Sequence, residues 1–156
     1  MTYDSNMTYD SKWDTVNHIK RVREHIEVAR SELQHRALLH DWTKLHEPEK
    51  SAFDNAVGLK TLEYGTAEYD AAKNDLGSAL QHHYQRNRHH PEHFPNGITD
   101  MNLIDMLEML CDWKAASERM KDGDMQQSLR FNKERFHISD ELYAILERTA
   151  KDLGFI

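Results

Sequence analysis

Histidine is over-represented in this chain and unevenly placed. Eleven occur in 156 residues, and five of them lie between His82 and His93. Imidazole ligates zinc, iron, manganese, cobalt or nickel, and carboxylates favour the harder ions of that set. The pair His40-Asp41 is the first candidate. Neighbours on a helix point about 100° apart, but at a helix end both side chains can turn to one ion. A surface histidine beside a capping aspartate is the plain alternative. His18 flanks an apolar face next to Ile19 and Val22, and His25 competes with it two turns on. In the cluster, His83 faces inward with His82 beside it, while His89, His90 and His93 fall on a loop that could equally be solvated. Arg86 and Arg88 border the cluster and make an anionic ligand plausible. Asp105, Glu108 and Asp112 share one face of a helix at steps of three and four. They form either its solvated strip or a set of ligands.

The elements that position these residues read as helices. Val16, Ile19, Val22, Ile26, Ala29 and Leu33 recur at three- and four-residue steps from Trp13 onward. Ser31 with Gln34 forms a capping-box pattern that predicts a restart of that helix. The next segment ends at His40-Asp41. Pro48 suits the first turn of a short helix ending near Gly58. Thr66 is placed to cap a longer helix carrying Tyr69, Ala72, Leu76, Ala79 and His83 on one face. A loop follows over 87–99, with Pro91, Pro95 and Gly97. Asp100 is expected to cap an apolar helix running to about Lys121, broken by Gly123. A shorter helix spans about Asp124 to Arg135. Ser139 caps the last helix, with Ile138 and Tyr143 as a hydrophobic staple, and Gly154 stops it. No segment alternates with period two. The expectation is an all-α protein with six or seven helices: a weakly ordered segment over 1–11, which includes a six-residue direct repeat, then one domain over 12–156.

Composition narrows the function. Twenty Lys+Arg against 27 Asp+Glu give a net charge of −7, and no long basic stripe offers itself to double-stranded DNA. The longest apolar run, Leu142 to Leu146, is far too short to cross a membrane. The start lacks the pattern of a signal peptide, and a single cysteine, Cys111, makes a reducing, cytoplasmic setting the default. His89-His90 followed by Asn102 bears a faint likeness to an HNH nuclease. That motif needs a hairpin and a later histidine, however, and none occurs between His93 and His137.

Taken in order, His18, His40-Asp41, His83, His89-His90 and Asp112 resemble the HD superfamily of metal-dependent phosphohydrolases, which are all-helical. His18-Ile-Lys-Arg-Val22 looks like its first-histidine helix, His40-Asp-Trp-Thr-Lys44 like its His-Asp-x-x-Lys form, and Cys111-Asp-Trp-Lys-Ala-Ala116 like the helix of its last aspartate. The stretch from His18 to about Phe136 also looks like a small HD-like family of phages and bacteria, with His-His-Pro-Glu-His at 89–93 as its most specific mark; no activity carries over from it. The resemblance implies metal ligands at His18, His40, Asp41 and Asp112, with His83 and His90 holding a second ion. The choices His82 or His83, His89 or His90, and Asp105 or Asp112 stay open. It also implies one or two divalent transition-metal ions and hydrolysis of a nucleotide or other small phosphoester. Asp41 would bridge the ions, His89 or His93 would protonate the leaving oxygen, and Lys44, Arg86 and Arg88 would bind phosphate. A di-iron oxygenase on the same ligands, and a helical binding or inhibitor protein with a structural metal, are the alternatives. A homodimer is compatible with either.

Overall fold

A computed structural model describes residues 10–56, 62, 66–74, 76–119 and 123–156. Seven α-helices occur among them: α1 (Ser11–Leu39), α2 (Glu49–Asn55), α3 (Ala67–Asn74), α4 (Gly77–Arg86), α5 (Leu103–Glu118), α6 (Met125–Arg135) and α7 (Asp140–Asp152). Short 3-10 turns cover Trp42–Leu45, Pro91–His93 and Gly97–Asp100. No strand is found among the described residues, so the all-α expectation holds. Most of the weakly ordered segment expected over 1–11, the ends expected near Gly58 and Lys121, and the side chains of Tyr69 and Ala72 lie outside the described residues.

Helix ends follow local chemistry, with three departures from expectation. The restart at Ser31 does not occur, and α1 runs unbroken from Asp10, whose carboxylate accepts the Lys12 N–H at 2.9 Å. Ion pairs Arg30–Glu27 and Arg36–Glu32 bind the turns on either side of Ser31. A mid-helix N–H already has its carbonyl and needs no cap. The helix expected from Thr66 is two helices, because Gly77 sits at φ +48°, where no right-handed helix continues. Its inward face is nevertheless as expected, with Leu76, Ala79 and His83 buried. Asp100 closes a 3-10 turn instead of capping α5. Asn102 takes the cap, accepting from the Ile104 and Asp105 N–H groups, while Asp105 accepts the Asn102 N–H in return.

The C-terminal half matches its pattern closely. Asp124 and Ser139 cap α6 and α7. The Gly154 N–H bonds to Lys151 O and the Phe155 N–H to Ala150 O, a Schellman stop at φ +70°. The main core lies here. Met109, Leu110 and Trp113 of α5 meet Met125 and Leu129 of α6, Leu146 and Ala150 of α7, and Ile98, Met101 and Ile138 from the connections. One face of α5 is thereby fixed in the core, and the face carrying Asp105, Glu108 and Asp112 turns toward α1 and the histidine loop.

Candidate metal centre

His40 and Asp41 converge because α1 ends between them. His40 leaves the helix with ψ 124°, and Asp41 adopts φ 55°, ψ 14°. Aspartate tolerates this left-handed region better than most residues. The kink brings its carboxylate back over the preceding imidazole, with His40 Nε2 at 3.8 Å from Asp41 Oδ2.

The histidine loop supplies the opposite wall. His83 Nε2 stands 3.3 Å and His89 Nε2 3.6 Å from Asp41 Oδ1, and His83 Nε2 stands 2.9 Å from His90 Nε2. Donor atoms cis to one another on an ion with bonds near 2.1 Å are separated by about 3.0 to 3.4 Å, so these spacings suit a shared ion. Two groups of donors emerge, each with its atoms within 4.8 Å of one another: Asp41, His83, His89 and His90, and His40, His89 and Asp112. His40 Nε2 lies 3.5 Å from Asp112 Oδ1.

Hydrogen bonding around these groups favours a cation at their centre. Glu49 is fully buried, and its Oε2 takes the proton of His83 Nδ1 at 2.8 Å. The Nε2 of His83 is then a bare lone pair facing another imidazole and a carboxylate oxygen. Asp41 Oδ1 and both ring nitrogens of His89 are buried without a hydrogen bond, although His89 Nδ1 lies 3.2 Å from Glu108 Oε1. With Nδ1 of His89 facing Glu108, its Nε2 and Asp41 Oδ1 are buried acceptors that converge without a donor, a costly arrangement that a divalent ion between them would relieve.

A second layer of carboxylates orients the imidazoles, as is usual around metals. Glu49 also takes His82 Nδ1 at 2.7 Å and the Thr43 hydroxyl at 2.8 Å. Asn87 donates to Thr43 Oγ1 and to the His83 carbonyl. Glu108 Oε1 lies 3.0 Å from His40 Nδ1, and Arg36 holds its other oxygen at 3.0 Å. Burial opposes ionisation of Glu108, yet the His40 hydrogen bond and the His89 imidazole beside it carry its pKa down to about 2. Hydrogen bonds to Asp112 first, then to Glu108, raise His40 to about 10. Burial, then the His89 and His83 charges, push His90 far below the usual imidazole range, so it stays neutral and able to ligate.

The open choices fall at different distances from the two donor groups. His83 joins the cluster and His82 sits outside it on Glu49. His89 and His90 both lie among the possible donors. Asp112 reaches His40, whereas Asp105 is wholly engaged with arginines. His18 is not brought in. It lies 21 residues from Leu39 on one continuous helix, about 31 Å along the axis, and its side chain is exposed. Arg88 does not face outward for phosphate: its Nε and Nη2 clasp Asp105 at 3.0 and 2.9 Å, and its guanidinium packs over Phe94. His93 is tied by Nδ1 to the Tyr84 carbonyl at 2.9 Å and stands apart from both donor groups. Lys44 is beside the centre, with Nζ 2.6 Å from Asp41 Oδ2, and Arg86 is exposed at the end of α4.

Glu49, Arg36, Thr43 and Asn87 escaped the sequence reading. Only Pro48, which opens a helix, gave a hint of Glu49. Glu49→Gln is expected to keep the fold but to weaken metal binding about 10- to 100-fold, since the amide no longer fixes the His83 tautomer. Metal titration by competition with a chelator reads this directly. Unchanged affinity would make Glu49 a packing residue only.

Neither the curated proteins nor the solved structures give a match to this chain. Residues 7–152 match the model described as "Family of unknown function (DUF5662)", and the chain belongs to that family.

Proposed function

We propose that this protein is an HD-like metal-dependent phosphohydrolase acting on a nucleotide or another small phosphoester. The observation that carries the reading is the pair of donor groups sharing His89, set between the His40-Asp41 kink and the histidine loop. A divalent transition metal held there supplies an acidified water and a Lewis acid for a phosphoryl oxygen. Asp41 lies between the groups, its Oδ1 toward His83 and His89 and its Oδ2 toward His40. Lys44 rests on Asp41 Oδ2 and over the Phe53 ring, from where its ammonium can swing to offset charge on a bound phosphoryl group. Arg86 is the other cation proposed for phosphate, exposed at the end of α4. No helix among the described residues is long and apolar enough to cross a membrane, and a cytoplasmic small-molecule substrate fits this reading.

Elemental analysis of the purified protein, followed by a nucleotide and phosphoester panel in added Mn²⁺, tests it. Bound transition metal with phosphate release supports the proposal. Oxygen uptake without phosphate release transfers the same ligands to an oxygenase. Absence of metal after reconstitution removes the reading altogether. With a substrate in hand, Lys44→Met is expected to lower kcat/KM by about 10- to 100-fold, the loss of one charge-assisted hydrogen bond, with metal content unchanged. An effect within about twofold would leave Lys44 as surface charge.

A further inference from the structure

The two donor groups are built differently. Asp41, His83, His89 and His90 make a group of four, and His40, His89 and Asp112 a group of three. Burial follows the same division. In the larger group Asp41 Oδ1 and the His89 nitrogens are buried, and the His83 side chain is only 2% exposed. In the smaller one His40 and Asp112 are 27% and 23% exposed. Aromatic rings wall the larger group further. Phe53 sets an edge against His83 at 6.0 Å, and His90 contacts the His89 and Tyr84 rings at 4.1 and 5.0 Å.

Four protein donors complete a tetrahedral set, as in ions held for structure, whereas three leave a position open, as in ions that meet a substrate. A cation also lies on the open side. Asp41 turns Oδ1 to His83 and His89 and Oδ2 to His40, and Lys44 Nζ rests on Oδ2 at 2.6 Å. Donor number, exposure and positive charge thus single out the same group.

We infer that a phosphoryl oxyanion of the substrate seats at the ion of His40, His89 and Asp112, with Lys44 beside it, while the ion of Asp41, His83, His89 and His90 is a fixed part of the fold. This rests on the phosphohydrolase reading, which by itself treats the two groups alike. The ions then differ in hold. The enclosed one leaves only when α4, the histidine loop and the kink after α1 part. The other exchanges with solvent on the exposed side of His40 and Asp112. Its affinity is lower by about 10- to 100-fold, because one inner donor fewer costs at least as much as one lost outer-shell partner. With two imidazoles to one carboxylate, against three to one, it also accepts harder ions such as Mn²⁺ more readily. Free divalent ion therefore decides whether the oxyanion position exists, which makes metal supply a regulator of the site.

Wild-type protein loaded with Mn²⁺ tests this without turnover. Competition with a graded chelator should remove one ion per chain before the other. Isothermal titration with inorganic phosphate should show binding to the two-ion form and its loss once the first ion has gone. Asp112→Asn should keep only the tighter ion and bind no phosphate. His90→Gln should bring the two affinities together and keep phosphate binding, with circular dichroism confirming the fold of both variants. Two wild-type ions that leave together overturn the inference, as does a single ion or none. So does phosphate binding that survives loss of the weaker ion, or an Asp112→Asn protein that retains that ion. If these results hold but no phosphoester is hydrolysed, the proposed activity falls and the oxyanion position stands.

Discussion

His89→Ala is expected to empty both donor groups, and no other single histidine substitution should do so. Its imidazole is fully buried, belongs to both groups, and has no hydrogen bond at either nitrogen. Loss of His83 or His90 touches only the group with Asp41, and loss of Asp112 touches only the group with His40. Elemental analysis should therefore give no bound metal for His89→Ala and about one ion fewer for His83→Ala or Asp112→Ala, with any phosphohydrolase turnover gone in the first. Removal of an oriented ligand should cost at least the 100-fold in affinity that loss of a good outer-shell partner can reach. Because a buried ring is being deleted, His89→Gln and a circular dichroism spectrum separate loss of metal from loss of fold. His137 is the control. It lies outside every motif and closes α6 at φ 50°, so His137→Asn, which tolerates that backbone, should keep full metal. Both ions retained in His89→Ala would falsify the shared centre.

The sequence was informative where chemistry and periodicity coincide. Capping residues announced the starts of α6 and α7, and the apolar periods announced α5 and the inward face of α4. The His-Asp pair and the histidine loop were visible because imidazole is rare and clusters of it have few structural uses. What stayed hidden was set by tertiary partners. His18 carries a motif resemblance and sits on the apolar side of α1, yet spacing along a chain cannot show that α1 stays straight and carries it about 31 Å from Leu39. Arg88 looked like a phosphate contact because an arginine beside histidines usually faces solvent. Its partner, Asp105, is 17 residues away on another element. Glu49 lies in the polar string from His46 to Lys50, where nothing marks one acid as fully buried. Its role exists only once α2 packs against α4 and brings it under His82 and His83.

The same logic places the largest stability effect at Asp105. This carboxylate is fully buried and accepts from four directions: Arg36 Nη2 at 2.7 Å, Arg88 Nε at 3.0 Å, Arg88 Nη2 at 2.9 Å and the Asn102 N–H at 3.1 Å. It thereby ties α1, the histidine loop and the cap of α5 to one point. Asp105→Ala leaves Arg36 with Glu32 and Glu108 and turns Arg88 loose into solvent, so the loss falls short of stranding a buried cation. About 3 kcal/mol is expected, equivalent to roughly 6–12 °C in Tm for a chain of this size. The pH dependence has a definite sign. Burial opposes the charge, but Arg88, the Asn102 N–H and Arg36 outweigh it and hold the folded pKa below 3.8. Its contribution is therefore complete above about pH 4 and is lost as pH falls through the folded value, so the wild type should lose its advantage over Asp105→Ala in acid. Arg88→Gln tests whether Arg88 anchors or binds substrate. As an anchor, it should lower Tm while leaving metal content and KM in place. A raised KM with unchanged Tm would return Arg88 to the substrate side. Metal affinity should also fall in Asp105→Ala, because Arg36, no longer shared, can draw Glu108 away from His40 and His89. A variant with normal Tm at neutral pH would mean that the two arginines find equal partners elsewhere and that the α1–α5 junction does not depend on this carboxylate.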